Sequence, residues 1–366
     1  VALAGAPRGF VSGAGGFPLG ERDLGARGNP DRTGTGKPVS TRILVTGAAG
    51  KVGQAFIRRA LTTPPCENFV VRAFCHQRQI PRVPGLEVVH GSIADRAAVD
   101  AAMDGVTHVL HLATCKETPD AIMDVAVKGM FWLLEAARVS PTLRQFILVG
   151  GDAGMGHFFY PHPIPVTETQ RHSAYAGCYA LSKVLEEVML EQYGIQYNFN
   201  GCCLRAPWIM EKDDFKAQLS FGPDVFGGQR WCDLVGAERA AELVRTGAVP
   251  VMLDPAGVPV KRNFVHVEDL VSAILAAFDH PQAVRQTFNI CMDEPVDYGA
   301  LALYLRETRG LPPVEVPTPF HSTWLDNSKA KFLLGWRPLY DLRKLADAAF
   351  DYRRAADDPR TIWYPG

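Results

Sequence analysis

Short apolar segments alternate with amphipathic segments over the first two hundred or so residues of the chain. The apolar segments have the length of buried strands and lie at 42–46, 69–74, 86–90, 107–113, 145–149 and 200–204. Segments with apolar residues at helical spacing lie at about 51–61, 96–103, 121–139 and 179–193. Strands that alternate with helices predict βαβ crossovers, and therefore an α/β fold with a doubly wound parallel sheet.

The pattern is less regular in the second half of the chain. Residues 211–262 mix glycine, proline, aromatic and charged residues, which is typical of a lobe that faces a substrate. The pattern then predicts the following elements: a strand at 263–267, a helix at 268–278, a helix and turn within 325–338, and a last helix at 342–355. Gly194 follows the helix at 179–193, and we predict that the helix ends there, because a left-handed glycine often ends a helix.

A glycine-rich turn, Thr46-Gly-Ala-Ala-Gly-Lys-Val-Gly53, joins the first predicted strand to the first predicted helix. In such a turn one glycine lets the chain reverse, a second lets the backbone approach a pyrophosphate, and a third lets the helix pack on the strand. The free N–H groups and the dipole of the helix start then bind phosphate oxygens. We predict that this turn holds a dinucleotide through Gly47, Gly50, Lys51, Val52 and Gly53.

The segment after the second strand, Phe74-Cys-His-Gln-Arg78, should select the cofactor. An acidic residue there would favour the ribose hydroxyls of NAD, and this segment contains none. His76 or Arg78 can face the 2′-phosphate of NADP, so the prediction is NAD or NADP, with NADP slightly favoured. Asp95, after the third strand, is predicted either to accept a hydrogen bond from adenine or to cap the following helix.

Tyr179 and Lys183 are four residues apart in Tyr-Ala-Leu-Ser-Lys and therefore lie on one face of a predicted helix. A phenol with a pKa of about 10 is a poor base at neutral pH, and a neighbouring ammonium group lowers that pKa. The tyrosine can then exchange a proton with a carbinol or a carbonyl while a nicotinamide exchanges a hydride. We predict that Tyr179 is the catalytic acid and base, with Lys183 as its partner and as a ligand of the nicotinamide ribose.

These motifs predict three regions. Residues 1–40 are rich in glycine, proline and arginine and have no strand or helix period, which predicts a disordered or loosely packed extension. Residues 41–205 should form a dinucleotide-binding domain, to which residues 263–292 return. The remaining segments, 206–262 and 293–366, should form a smaller substrate-binding domain.

Composition and charge exclude several classes of partner. The 366 residues carry 38 basic and 39 acidic side chains without a basic block, so no nucleic-acid partner is expected. The apolar segments are too short and too interrupted to span a membrane. The eight cysteines form neither a CxxC pair nor a zinc-like cluster with histidine, which predicts no metal site, reduced thiols and a cytoplasmic location.

Taken in order, these motifs resemble the extended short-chain dehydrogenase/reductase family of the nucleotide-sugar epimerase and dehydratase type. The similarity runs from about Arg42 to about Arg354, and its further motifs are His111-Leu-Ala113, Arg205-Ala-Pro207, Arg262-Asn-Phe-Val-His-Val-Glu-Asp-Leu270 and Leu334-Gly-Trp-Arg-Pro338. The resemblance implies a Rossmann-type domain with a smaller C-terminal substrate domain, a homodimer, and a small-molecule substrate that is carbohydrate-like. We place further cofactor contacts at Ile93, Leu112, Ala113, Lys183 and Arg205.

The sequence departs from the family where a Ser or Thr hydroxyl usually binds the reacting oxygen, because that position is Gly151 here. A backbone N–H or a water can replace the hydroxyl, and so can the neighbouring Asp152, as an acid or an orienting group. A third alternative is a hydroxyl from a loop, supplied by Thr114, Thr167 or Ser173. We predict Asp152 as a catalytic residue, although Ala153 stands where dehydratases carry a Glu, which argues against a full dehydratase mechanism.

Gly151, Trp208 and Arg262 are the predicted substrate contacts. Trp208 can stack on a sugar ring or a base, or pack in the core, and Arg262 can bind a phosphate or carboxylate, or form a structural pair. The loop before Tyr179 also contains His157, which is expected either to bind a polar substrate or to be a solvated or capping residue.

Two functions fit these observations. The first is an NAD(P)-dependent oxidoreductase or epimerase that acts by hydride transfer on a carbohydrate-like substrate, nucleotide sugars included. The second is a non-catalytic NADP-binding sensor or scaffold protein of the same fold, which the missing hydroxyl at Gly151 motivates. The presence of both Tyr179 and Lys183 favours the first, because a sensor does not need a tuned phenol.

Overall fold

A seven-stranded sheet forms the centre of the structure, a computed structural model that describes residues 41–62, 69–223, 230–358 and 360. Its strands are β1 (Arg42–Thr46), β2 (Val70–Cys75), β3 (Leu86–His90), β4 (His108–His111), β5 (Gln145–Gly151), β6 (Gly201–Ala206) and β11 (Thr287–Asn289). They are hydrogen-bonded in the order β11-β6-β5-β4-β1-β2-β3, and every pair is parallel. The predicted α/β fold with a doubly wound parallel sheet is therefore confirmed.

Helices cover both faces of this sheet, because alternate residues of each strand point to opposite sides. In β1, Ile43 and Val45 belong to one apolar core and Leu44 belongs to the other. The first core includes side chains from α1 (Lys51–Thr62) and α9 (Val267–Ala277). The second includes side chains from three helices, α2 (Arg96–Ala102), α4 (Gly129–Val139) and α5 (Cys178–Tyr197).

The helix predicted at 121–139 contains a change of helical type. It begins as α3 (Pro119–Ile122), continues as a π-helical segment (Met123–Lys128), and becomes α4. π-Helical segments within α-helices are often found at functional sites. Val125, within this segment, lines the cavity described below.

The second half of the described chain has more regular structure than its sequence indicated. Besides α9, its α-helices are α6 (Asp214–Gln218), α7 (Trp231–Val235), α8 (Ala237–Thr246), α10 (Tyr298–Arg309), α11 (Ser328–Leu333) and α12 (Leu342–Asp351). Its strands form three two-stranded ladders: β7 (Trp208–Met210) with β10 (Phe264–His266), β8 (Val249–Leu253) with β13 (Pro313–Pro317), and β9 (Lys261–Arg262) with β12 (Val296–Asp297). Trp231, Tyr298 and Leu345 belong to a third core in this region.

Two predicted helix ends are wrong. Helix α5 continues past Gly194 to Tyr197, and Asn198 takes the left-handed conformation that ends it, with φ of 51°. A Cβ at Gly194 would lie 3.3 Å from the Arg285 side chain, which is a close contact. The last helix ends at Asp351 instead of at about residue 355. The extension predicted at 1–40 lies outside the described residues, and the proposed division into two domains stays a prediction.

Helix α5 is attached to the sheet through a buried ion pair. Glu187 accepts hydrogen bonds from the guanidinium of Arg205 on β6 at 2.8 and 3.2 Å, and the arginine is 2% exposed. Burial raises the pKa of Glu187, but a hydrogen bond from His172 and the charge of the Arg205 guanidinium outweigh burial and hold that pKa at about 2. The carboxylate also lies against β5, because a Cβ at Gly150 would be 2.8 Å from its Oε1.

We expect Glu187→Gln to lower the free energy of unfolding by about 3 to 5 kcal/mol, because it leaves the buried Arg205 without a counter-charge. Urea denaturation measures this change. The control is Glu242→Gln, which breaks an exposed pair with Arg239 and should cost less than about 1 kcal/mol. Equal effects of the two substitutions would show that the buried pair does not stabilise the fold.

Candidate functional site

A cavity of about 1070 Å³ lies at the carboxyl ends of the sheet strands. It reaches the point between β1 and β4 where the strand order reverses, which is where open α/β sheets bind ligands. Its walls come from these segments: 46–53, 74–78, 91–93, 112–117, 149–153, 157–159 and 206–209, with further residues from the start of α5. Among the described residues, none after Ile209 lines this cavity.

The glycine-rich turn forms the wall next to β1 and α1. Gly47 has a φ of 63°, and a Cβ there would lie 2.8 Å from the backbone nitrogen of Ala113. A Cβ at Gly53 would lie 2.6 Å from the carbonyl oxygen of Ala48. Only glycine lets the turn pack this closely, and the start of α1 then faces the cavity. These features fit the pyrophosphate of a dinucleotide.

Lys51 and Val52 of the same turn also line the cavity. The Lys51 ammonium donates to the Ile209 carbonyl at 3.0 Å and to the Asp214 carboxylate at 2.5 Å. The lysine therefore joins the turn to the segments after β7, in addition to its position at the predicted phosphate site.

The opposite wall at this end comes from residues that follow β2 and β3. His76 and Arg78 line the cavity, as does Ile93, and no Asp or Glu lies among the lining residues there. Asp95 is the N-cap of α2, where its carboxylate accepts a hydrogen bond from the Ala97 N–H at 3.0 Å. The capping alternative for Asp95 is therefore confirmed, and its side chain does not line the cavity.

The predicted catalytic side chains meet at the middle of the cavity. Tyr179, Lys183, Gly151 and Asp152 all line it, and the Lys183 nitrogen is 5.6 Å from the centre of the Tyr179 ring. A Cβ placed on Gly151 would be 3.8 Å from the Tyr179 oxygen and would make only ordinary contacts. Space for the family's hydroxyl is therefore present beside the phenol, and the chain does not fill it.

Two charged neighbours of this pair are not apparent from sequence motifs. The Lys116 nitrogen lies 3.5 Å above the centre of the Tyr179 ring. Burial, and then the charge of Lys183, lowers the Lys116 pKa to about 7. Glu186, which is fully buried, accepts a hydrogen bond from the Lys183 ammonium at 2.7 Å, and burial raises its pKa.

Lys116 follows the carboxyl end of β4, and this position is the one sequence signal that could have identified it, since ligands of parallel sheets bind at that edge. Glu186 had no such signal. Its neighbour Glu187 is also a glutamate but pairs with Arg205 instead of Lys183. Only the rotation of α5 in the structure shows which of the two contacts Lys183.

A chain of hydrogen bonds leads from Asp152 away from the cavity. His157 Nδ1 is 2.5 Å from the Asp152 carboxylate, and its Nε2 is 2.6 Å from the guanidinium of Arg262. Since an arginine only donates, Nε2 accepts and Nδ1 carries the proton that is donated to Asp152. Burial lowers the His157 pKa to about 4, so the ring is neutral at pH 7. Asp152 is thereby fixed as a hydrogen-bond acceptor.

Arg262 takes the structural alternative, and Arg205 lies away from the predicted cofactor contact. Arg262 is 1% exposed, its guanidinium lies 3.4 Å over the Trp208 ring, and it does not line the cavity. It therefore lies behind the predicted substrate site, with Trp208 between it and the opening. Arg205 is occupied by Glu187 and also lies outside the lining, so the structure does not place it at a cofactor.

The remaining predicted positions divide between the wall and the surrounding structure. Leu112, Ala113 and Trp208 line the cavity. Of the loop hydroxyls considered as replacements at Gly151, only Thr114 lines it, and that hydroxyl donates to the Cys115 carbonyl at 3.2 Å.

The part of the chain that the structure describes lacks two further kinds of feature. No helix there is both long enough and apolar enough to cross a membrane. No group of three or more His, Cys, Asp or Glu side chains in that part could hold a metal ion.

The amino-acid sequence is similar to those of known enzymes. Residues 43–210 match the NAD dependent epimerase/dehydratase family. The chain is 21% identical to the bifunctional dihydroflavonol 4-reductase/flavanone 4-reductase of Malus domestica, over 87% of this chain and 88% of the relative. It is 25% identical to UDP-glucuronate 4-epimerase 3 of Arabidopsis thaliana, over 82% of this chain and 74% of the relative.

A solved structure is also similar along most of the chain. A short-chain dehydrogenase/reductase superfamily protein from Agrobacterium tumefaciens, crystallised with bound NAD, is 27% identical with a TM-score of 0.70. The match covers 84% of this chain and 95% of that protein.

Proposed function

We propose, from the premise that this chain belongs to the extended short-chain dehydrogenase/reductase family, that it is an NAD(P)-dependent oxidoreductase or epimerase acting on a carbohydrate-like carbinol or ketone. The observation that carries the proposal is the position of Tyr179 and Lys183 in the same cavity as the glycine-rich turn. The family resemblance further supports a homodimer.

The residues at one end of the cavity fit NAD(H). The glycine-rich turn and the start of α1 would hold the pyrophosphate, and the residues after β2 and β3 would surround the adenosine. The bound cofactor would supply or accept a hydride. His76 and Arg78 at the rim support acceptance of NADP as well as NAD, because a guanidinium suits a 2′-phosphate and no acidic lining residue opposes it.

Tyr179 would exchange the proton at the reacting oxygen. The Lys183 ammonium favours the phenolate, and the buried Glu186 accepts a hydrogen bond from that ammonium and orients it. Asp152 is an acceptor in its bond with His157, which favours an orienting role, such as accepting a substrate hydroxyl, over the role of an acid.

We assign to Lys116 the role that a hydroxyl at position 151 would have, which is to bind the reacting oxygen of the substrate. Its nitrogen lies over the Tyr179 ring, where one substrate oxygen can contact both the ammonium and the phenol. The Lys116 ammonium can donate a hydrogen bond to this oxygen. Its pKa of about 7 is close to neutral pH, where a group exchanges protons most effectively.

We expect Tyr179→Phe to reduce kcat by about 10² to 10⁴-fold, because the proton-transfer group is lost. The affinity for NADH should be unchanged, since only the phenol oxygen is removed. Nicotinamide absorbance measures turnover and NADH fluorescence measures binding. Full activity of this variant would remove Tyr179 from the mechanism.

Arg78→Ala should weaken NADPH binding by about 10- to 100-fold, because one charge-assisted contact to the 2′-phosphate contributes roughly 1.5 to 3 kcal/mol. NADH binding should change little. Arg82→Ala is the matched control, since Arg82 is exposed and does not line the cavity. An equal loss for both cofactors, or none for either, would contradict NADP recognition by Arg78.

Lys116→Met should lower kcat/KM for carbonyl reduction by about 10²-fold, the usual effect of losing one donor to a reacting oxygen. Adding Gly151→Ser should recover part of this loss, because the space beside the Tyr179 oxygen accepts a side chain. Gly151→Ala supplies the matched control without a hydroxyl. If Gly151→Ser and Gly151→Ala have the same effect on the Lys116→Met variant, then positions 116 and 151 do not both serve to bind the reacting oxygen.

The same role predicts a pH dependence. The Lys116 pKa of about 7 lies below the ordinary 10.5, so the ammonium is present below pH 7 and lost above it. Activity in carbonyl reduction should therefore decrease as the pH rises through about 7. Lys116→Arg should move this decrease to higher pH, and Lys116→Met should remove it.

A further inference from the structure

The end of the cavity beyond Tyr179 is built mainly from aromatic rings. Phe158, Phe159, Tyr175 and Trp208 line it. The Phe159 ring is 4.8 Å from the Phe158 ring and 4.6 Å from the Tyr175 ring, centre to centre. Such rings bind flat faces well, either the C–H face of a sugar or another aromatic ring.

The charges at this end are balanced and already engaged with the protein. The lining cations beyond the glycine-rich turn and the residues after β2 are Lys116 and Lys183, among the described residues. Lys183 is paired with Glu186, and Lys116 lies on the Tyr179 ring. The carboxylates of Asp152 and Glu117 line the same end and would repel a phosphate.

The start of α5 is closed to anions as well. A helix start is a common phosphate site because its N–H groups have no partner within the helix. Here the Glu117 carboxylate accepts the N–H of Cys178 at 3.0 Å and that of Tyr179 at 3.4 Å. A diphosphate at this position would have to displace a group of the same charge.

Arg262 is the residue that a phosphate would otherwise recruit, and it is inaccessible. Its guanidinium is covered by Trp208 and bonded to the His157 nitrogen. Turning it into the cavity would break that bond, remove the contact with the indole, and leave His157 Nε2 without its donor. Aromatic rings also enclose it on two further sides, with Phe158 at 4.1 Å and Phe264 at 5.5 Å.

We infer that the substrate is an uncharged, ring-bearing carbinol or ketone without a phosphate group, and that nucleotide sugars are excluded; this rests on the proposed function. The ring binds among Phe159, Tyr175 and Trp208. Its reacting oxygen meets Tyr179 and Lys116, and Asp152 accepts a neighbouring hydroxyl.

The test uses the full chain loaded with NAD and three probes: galactose, UDP-galactose and acetophenone. The first two share a sugar ring and differ in the nucleotide diphosphate, and the third is a flat aromatic ketone. Calorimetry should show that galactose or acetophenone binds at least about tenfold more tightly than UDP-galactose, as like-charge contacts cost affinity. The better neutral probe identifies whether a sugar face or an aromatic face is preferred.

Binding of UDP-galactose as tight as, or tighter than, the better neutral probe would overturn the inference, and so would binding of neither neutral probe. Trp208→Leu should weaken the neutral probe about tenfold with NAD affinity unchanged, because ring stacking is lost. Trp324→Leu is the control, since Trp324 is 39% exposed and lies outside the cavity lining. An equal effect of both substitutions would also count against the ring site.

These outcomes are separable from failure of the proposed function. Neutral-probe binding without any hydride transfer would leave the inference on ligand class standing and remove the proposed chemistry. Hydride transfer to UDP-galactose would leave the proposed chemistry standing and overturn the inference on ligand class.

Discussion

Burial of charge along helix α5 is the constraint on which the site depends. Lys183 lines the same cavity as Tyr179, and at 5% exposure its ammonium needs a counter-charge. Glu186 supplies it one helical turn away, at 2.7 Å. The next residue, Glu187, faces the sheet and pairs with Arg205. Two adjacent carboxylates thus serve two cations, one in the site and one in the scaffold.

The scaffold pair has consequences for the strands beside it. Because the Glu187 carboxylate lies against β5, position 150 cannot carry a Cβ without a contact of 2.8 Å. Gly151 is not subject to this restriction, since a side chain there would make ordinary contacts. The two neighbouring glycines therefore have different explanations: the first is required by packing, whereas the second leaves out a hydroxyl for which space exists.

The sequence allowed the sheet, the glycine-rich turn and the pair of Tyr179 and Lys183 to be predicted, because each depends on local spacing. The contact of His157 with Arg262 joins segments 105 positions apart, so no local pattern indicates it. The predicted end of α5 was wrong because glycine and asparagine both suit a left-handed position, and the local pattern does not distinguish Gly194 from Asn198. After residue 207 the elements are mostly too short to show a period.

Lys116, Gly151 and Glu186 are best understood as one coupled set. A hydroxyl at position 151 would hold the reacting oxygen without adding charge. A lysine over the Tyr179 ring can hold that oxygen too, but it places a second ammonium beside Lys183, and the two repel. The repulsion helps to lower the Lys116 pKa to about 7, where the group can exchange a proton. Glu186 accepts the hydrogen bond of the Lys183 ammonium, so a change at Glu186 would also alter the electrostatics at Lys116, whose pKa the Lys183 charge helps to lower.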